Sequence, residues 1–221
     1  EAAITAKTRA IMPTQLNGRV ADMDAILAIA DKYNLQVYED SAQALGAKYK
    51  GQSAGSFGMG GCISFYPAKV LGCFGDGGAV LTNNKEIYET IRLMRDHGRG
   101  EDGNVSLWGY NSRLDNLQAA ILNYFFDDYN IIVERRRVIS SLYASGLQSV
   151  EELVLPPAVN ADSDHFDIYQ NYEIEAPRRD ALKVYLADAG VGTLIQWGGR
   201  AVHEFKDLGF TQSLPFTESI M

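Results

Sequence analysis

Residues 9–40 read RAIMPTQLNGRVADMDAILAIADKYNLQVYED, and this stretch decides the architecture. Positions 9–13 form a short apolar run closed by Pro13, which has no amide hydrogen with which to extend a ladder. From 20 to 33 the apolar residues Met23, Ile26, Leu27 and Ala30 recur at helical spacing and predict an amphipathic helix. A second apolar run at 35–38 predicts a strand that delivers Glu39 and Asp40 at its C-terminal end. Strand, helix, strand is a βαβ unit, and its crossover makes the two strands parallel.

The pattern continues downstream. Glycines 46, 51, 55, 58, 60 and 61 lead into a predicted strand at 62–66, followed by Pro67 and Lys69. A second cluster, Gly72, Gly75, Gly77 and Gly78, precedes a predicted strand at 79–82. Residues 85–97 read as a helix with Ile87, Ile91 and Met94 on one face, stopped by Gly98 and Gly100. Residues 114–143 read as one continuous helix. That exceeds the usual ~11–12 residues, as in helices that join domains or line a dimer interface. Beyond Pro156 and Pro157 a strand is expected at 168–174, a helix at 178–189 ended by Gly190, and a strand at 191–196. The expected class is α/β: a large domain over 1–146 with a mainly parallel sheet, then a small α+β domain over 147–221.

The bulk properties exclude several functions. The chain has 221 residues, enough for one α/β domain with a real core or for a large domain plus a small one. Hydrophobic residues at 46% and charged residues at 22% fit a soluble globular protein. A net charge of -8 without a Lys/Arg stripe argues against a nucleic-acid partner. No apolar run reaches the ~20 residues that span a bilayer, and no signal peptide is visible, so no membrane partner is expected. Cys62 and Cys73 lie in no metal-ligand spacing, so no metal site is expected, and their scarcity fits a reducing cytoplasm. Both ends read as cut edges: the first residue is Glu1, and the last lie in what looks like the start of a helix.

Some side chains can carry chemistry. Lys69 follows a strand and lies between two glycine clusters, which let a backbone approach a flat cofactor closely. A lysine amine is nucleophilic only when it sheds its proton, in a partly buried or electropositive place. By position alone, a solvated surface lysine is the commoner outcome. Asp40 ends a parallel strand, where open α/β sheets place ligands, and a carboxylate there pairs with a protonated ring nitrogen. It serves equally as a helix N-cap, with Gln43 three residues on as a capping-box partner or as a contact to a ring hydroxyl. The Ser64 hydroxyl is suited to a phosphate oxygen. His97, His165 and His203 are scattered, and His165 and His203 read as structural or exposed. Gly55-Ser-Phe-Gly-Met-Gly lacks dinucleotide spacing and precedes a strand, which excludes a Rossmann reading.

Four linked motifs overturn the bland readings of Lys69 and Asp40. The run Glu39-Asp-Ser-Ala-Gln-Ala-Leu-Gly-Ala-Lys-Tyr-Lys-Gly51 resembles a signature of the DegT/DnrJ/EryC1/StrS sugar aminotransferases. Gly55-Ser-Phe-Gly58 with Ser64-Phe-Tyr-Pro-Ala-Lys69, then Gly75-Asp-Gly-Gly78, resembles the family's Schiff-base segment. Gly109-Tyr-Asn-Ser-Arg-Leu-Asp-Asn-Leu-Gln-Ala-Ala120 is similar to a further motif, and Asp96-His-Gly98 fits as well. Order and spacing agree over residues 2–145.

The resemblance implies the PLP-transferase type I fold and pyridoxal 5'-phosphate (PLP) as cofactor. Lys69 would form the Schiff base and shuttle the proton between Cα and C4′. Asp40 would pair with the pyridinium nitrogen, Gln43 with the ring 3-hydroxyl, and Ser64 with the phosphate. Asn111 would reach the phosphate of a neighbouring subunit's cofactor, making a homodimer with shared sites, and Arg113 would lie near. The implied reaction passes an amine from an amino acid, typically glutamate, to a nucleotide-linked ketosugar, for polysaccharide or secondary-metabolite biosynthesis. Relatives that act as sugar dehydratases carry histidine in place of the lysine, so Lys69 favours transamination; a non-catalytic or regulatory homologue is the other alternative. Gln15 stands where the family usually has histidine and is expected near the substrate. An N-terminal region with a phosphate-binding Gly-Thr segment and a ring-stacking aromatic is expected ahead of Glu1, and a closing C-terminal segment is expected beyond the chain.

Overall fold

Helix α1 (Met23–Tyr33) starts where Asp22 accepts a hydrogen bond from the Ala25 amide (3.1 Å). It stops where Asn34 turns left-handed (φ 52°) and returns its amide to Ala30 and Asp31. This places strands β1 (Ala10–Ile11) and β2 (Gln36–Asp40) side by side and parallel, Ile11 opposite Val37. The expected βαβ unit is therefore present. The computed structural model describes residues 1–220, so Met221, the last residue of the expected small domain, lies outside the described residues.

Next come the short strands β3 (Lys48–Tyr49) and β4 (Gln52–Ser53), then β5 (Gly60–Ser64) and β6 (Gly78–Leu81). The main sheet has the order β1-β2-β5-β6; its first two pairings are parallel and β5–β6 is antiparallel. The alternating pleat of β2 and β5 sorts their side chains. Val37, Glu39 and Ile63 are buried, whereas Tyr38 and Cys62 point to an open face on which Asp40 and Ser64 also lie.

Helices α2 (Lys85–Met94), α3 (Asn116–Phe126) and α4 (Tyr129–Leu147) follow. The single helix expected over 114–143 is thus two. The break falls at Asp127 and Asp128, the latter at φ −93°, ψ 0°. Beyond it Tyr129 turns inward and donates to the Leu45 carbonyl. The same ring makes Gly46 obligatory: at φ +84° a Cβ would sit 2.5 Å from the Tyr129 hydroxyl. Around this contact Val20, Met23, Ala30, Val37, Phe57, Val133 and Ile168 form the core. Each large apolar side chain buried here contributes about 1.5–3 kcal/mol.

Strand β7 (His165–Phe166) pairs antiparallel with β3, which also pairs with β4. No ladder forms over 168–174, where a strand was expected. Ile168 and Gln170 give their amides to Gly18 and Asn17 (3.0 and 2.9 Å), and Tyr169 between them is left-handed (φ 50°), which no strand tolerates. These bonds keep residues 147–174 with the first compact unit, Glu1–Ile174, although the sequence pattern changes near 147.

A second compact unit begins at Glu175 and carries helices α5 (Arg179–Asp188) and α6 (Pro215–Ile220). Residues 191–196, expected as a strand, form no ladder because no neighbouring strand among the described residues of this unit pairs with them. Among the described residues no helix is long and apolar enough to cross a membrane, and no group of three metal-ligating side chains occurs.

Candidate active site

The C-terminal ends of β2 and β5 build the site. Asp40 is locked through its main chain: its amide donates to the Pro13 carbonyl (2.9 Å), and its carbonyl accepts from the Gln15 amide (2.8 Å). No helix follows it. Its Oδ1 accepts from the Ala42 amide (3.2 Å), turning the chain out of the strand, so neither the N-cap nor the capping-box alternative applies. Its Oδ2 has no partner among the described residues. Asp40 pairs in register with Cys62 on β5, and Ser64, two residues on, faces the same way. The partial covering of the Cys62 sulfur, and after it the Asp40 charge, push that thiol's pKa up. The carboxylate therefore acts on the open face of the sheet.

Gln43 is half-buried in the turn after β2. Its Oε1 accepts from the Asn17 amide (2.7 Å), leaving its Nε2 as an open donor among the described residues. Ser64 Oγ accepts from the Tyr66 amide (3.2 Å) and keeps its own proton to give.

Lys69 sits in a closed turn behind β5. Its amide donates to the Tyr66 carbonyl (2.9 Å), and Cys73 closes the loop by donating to Phe65 (2.8 Å). Gly72 permits this closure, since a Cβ there would come within 2.8 Å of the Pro67 carbonyl oxygen and 2.9 Å of that of Tyr66. Lys69 is half-buried, and its amine makes no hydrogen bond or ion pair among the described residues.

Asn111 and Arg113 form a separate, exposed cluster. Arg113 donates to Asn111 Oδ1 (3.0 Å) and pairs with Asp96 (2.8 Å). Among the described residues no hydrogen bond links this cluster to Asp40, Gln43, Ser64 or Lys69.

Gln15, expected near the substrate, turns its side chain into the core. It is fully buried, and its Oε1 accepts from the Ala21 amide (2.7 Å) while its Nε2 donates to Glu39 Oε2 (2.6 Å). A side chain whose polar atoms are consumed inside the core has nothing left to offer a ligand. Sequence reasoning placed Glu39 at the strand end without giving it a role, and it passed over Gln170. Strand parity hints at Glu39, which points opposite to Asp40; nothing local marks Gln170.

The model of the DegT/DnrJ/EryC1/StrS aminotransferase family matches residues 1–221. The chain belongs to this family. Its similarity to a pleiotropic regulatory protein of Geobacillus stearothermophilus is 42% identity, over 89% of this chain and 53% of the relative. To the dTDP-3-amino-3,4,6-trideoxy-alpha-D-glucose transaminase of Streptomyces venezuelae it is 39% identity, over 89% of this chain and 51% of the relative. The X-ray structure of S. venezuelae DesV in complex with a ketimine intermediate superposes with a TM-score of 0.91 at 38% identity, over 99% of this chain and 59% of that one. This family member therefore has the expected mixed, mainly parallel α/β fold of the type I PLP transferases. It spans about half the length of the curated relatives it matches, at 53% and 51%.

Proposed function

We propose that this chain is the cofactor-holding part of a PLP-dependent nucleotide-sugar aminotransferase acting in the cytoplasm. The observation that carries the reading is the set of unspent groups at the ends of β2 and β5: the Lys69 amine, Asp40 Oδ2, Gln43 Nε2 and the Ser64 hydroxyl. This set fits PLP group by group. An amine matches its aldehyde, a carboxylate its protonated ring nitrogen, an amide donor its ring oxygen, and a hydroxyl its phosphate.

When bound, PLP supplies an electron sink that acidifies the Cα–H of an attached amino acid. The protein's own groups do the rest. Lys69 Nζ would hold the cofactor through its aldehyde, and the same amine would carry the proton between the substrate Cα and the cofactor C4′. Asp40 keeps the ring nitrogen protonated through its carboxylate charge. Gln43 Nε2 and Ser64 Oγ orient the ring oxygen and the phosphate. Asn111, with Arg113 beside it, serves the phosphate in a neighbouring subunit, so two copies share sites. The strongly exposed Trp108, Tyr110, Leu117 and Tyr124 around that motif support such a homodimer.

Relatives named as transaminases of dTDP- and UDP-linked sugars support a nucleotide-linked ketosugar as acceptor; the donor in this reading is an amino acid, glutamate. One relative is named a pleiotropic regulatory protein, which keeps a non-catalytic role as the second reading. An absorption spectrum separates them. Added PLP is expected to give a visible band that borohydride fixes to Lys69 and that Lys69→Ala abolishes. A folded, colourless protein at saturating PLP would overturn the reading that these residues hold the cofactor and favour the non-catalytic one.

A further inference from the structure

One side chain brackets Lys69. Gln170 Oε1 accepts from the Val70 amide (2.9 Å), and its Nε2 donates to the Ala68 carbonyl (2.9 Å). The peptide groups on either side of Lys69 are thus tied to one planar amide, much as a neighbouring strand would tie them. Gln170 is only 8% exposed, so water competes little for either bond. The clamp is itself anchored. The Gln170 amide donates to the Asn17 carbonyl (2.9 Å), and its carbonyl accepts from Arg136 (3.0 Å). The Asn17 amide in turn donates to Gln43 Oε1 (2.7 Å). A continuous run of hydrogen bonds therefore joins the Lys69 turn, through Gln170 and Asn17, to Gln43.

Resting on the reading of Lys69 given above, we infer that Gln170 is a positioning residue, which fixes the main chain under Lys69 and registers it against Gln43. The lysine side chain has several rotatable bonds, and each ångström of play at its base is multiplied at Nζ. Holding the base removes that freedom before the cofactor arrives. The glutamine amide meets both peptides, and its nearest replacements do not. Glutamate would set a second acceptor against the Ala68 carbonyl, leucine offers neither bond, and asparagine is one methylene short.

A purely structural role must be told apart from this one, and the fold supplies a control. Gln118 makes the same pair of bonds to Phe74, accepting from its amide and donating to its carbonyl (both 2.8 Å), without bonding either peptide that flanks Lys69.

The experiment uses the full chain with PLP and compares the parent with Q170L, Q170E and Q118L. It measures the PLP dissociation constant, the midpoint pH of the visible band, and the melting temperature. Q170L is expected to weaken PLP binding about tenfold and to move the midpoint by about half a pH unit or more. Q118L is expected to lower the melting temperature alone. Q170E should behave like Q170L while its carboxylate is ionised, and approach the parent as pH falls and the protonated carboxyl donates to Ala68 again. If Q170L does not fold, Q170E decides. Folded variants with the parent's PLP affinity and midpoint at every pH overturn the inference. A parent without a band fails earlier, because it overturns the reading of Lys69 itself.

Discussion

Gln15 Nε2 donates to Glu39 Oε2 across 2.6 Å, with both side chains almost wholly buried. Glu39 Oε1 also accepts from the Phe57 amide (2.6 Å), and Gln15 Oε1 accepts from the Ala21 amide (2.7 Å). The relay has one direction, with a main-chain donor at each end. A flipped Gln15 amide would set oxygen against carboxylate and nitrogen against an amide hydrogen. Because Gln15 and Glu39 flank Asp40 in the hydrogen-bond pattern, the relay also fixes the strand end that presents Asp40.

Glu39→Gln alone sets its new NH₂ against a donor, either Gln15 Nε2 or the Phe57 amide, and should cost about 1–3 kcal/mol. The double variant Gln15→Glu with Glu39→Gln reverses the relay. The new carboxylate at position 15 accepts from the Ala21 amide and from the new side-chain amide at position 39, whose oxygen still accepts from Phe57. Denaturant unfolding of the single and double variants checks this, and the double is expected to recover most of the loss. Additive losses would mean that the pair is not coupled.

Lys69→Ala should leave stability within about 0.5 kcal/mol of the parent, because the amine makes no contact that the fold needs. The visible PLP band should vanish all the same. Thermal unfolding of the two apo proteins tests the first half; a large loss would show that Lys69 serves packing.

Gly46→Ala should destabilise the protein by roughly 2 kcal/mol or more, since it combines a left-handed backbone with a clash against the Tyr129 hydroxyl. The additional variant Tyr129→Phe should relieve part of that cost in the Gly46→Ala background. That ring's hydroxyl is held in its neutral form, its pKa pushed up to about 12 by burial. Denaturation midpoints of the four proteins decide whether clash or backbone dominates.

Acid should act through Asp162. Hydrogen bonds from Arg19 (2.8 Å) and then from His165 hold its carboxyl well below the usual range. A lowered folded pKa means a stabilisation present above the unfolded value of about 3.9 and lost as pH falls through the lower folded one. Arg19 also pairs with Asp167, yet there burial outweighs the guanidinium and the carboxyl is pushed up. Unfolding followed from pH 5 downward should therefore show a shallower acid decline for Asp162→Asn than for the parent. An identical slope would remove Asp162 from the account.

Much of this protein follows from local sequence. The βαβ unit rests on a change of period from two to 3.6 and back, with Asp22 and Asn34 setting the ends of α1. Strand parity puts Glu39 inside and Asp40 on the open face, and the order of Asp40, Gln43, Ser64 and Lys69 along the chain marks the candidate site. Tertiary structure decided the rest. Residues 168–174 and 191–196 have the composition of strands but form none, because a strand exists only where a neighbour accepts its ladder. The residue standing in place of a family histidine became a core residue because Glu39 consumes its amide. The clamp on Lys69 comes from Gln170, far along the chain, and no local pattern announces it. Propensity and periodicity act over a few residues. The pairing of a side-chain amide with a distant peptide is settled only when the packed core brings them to hydrogen-bond distance and shuts out water.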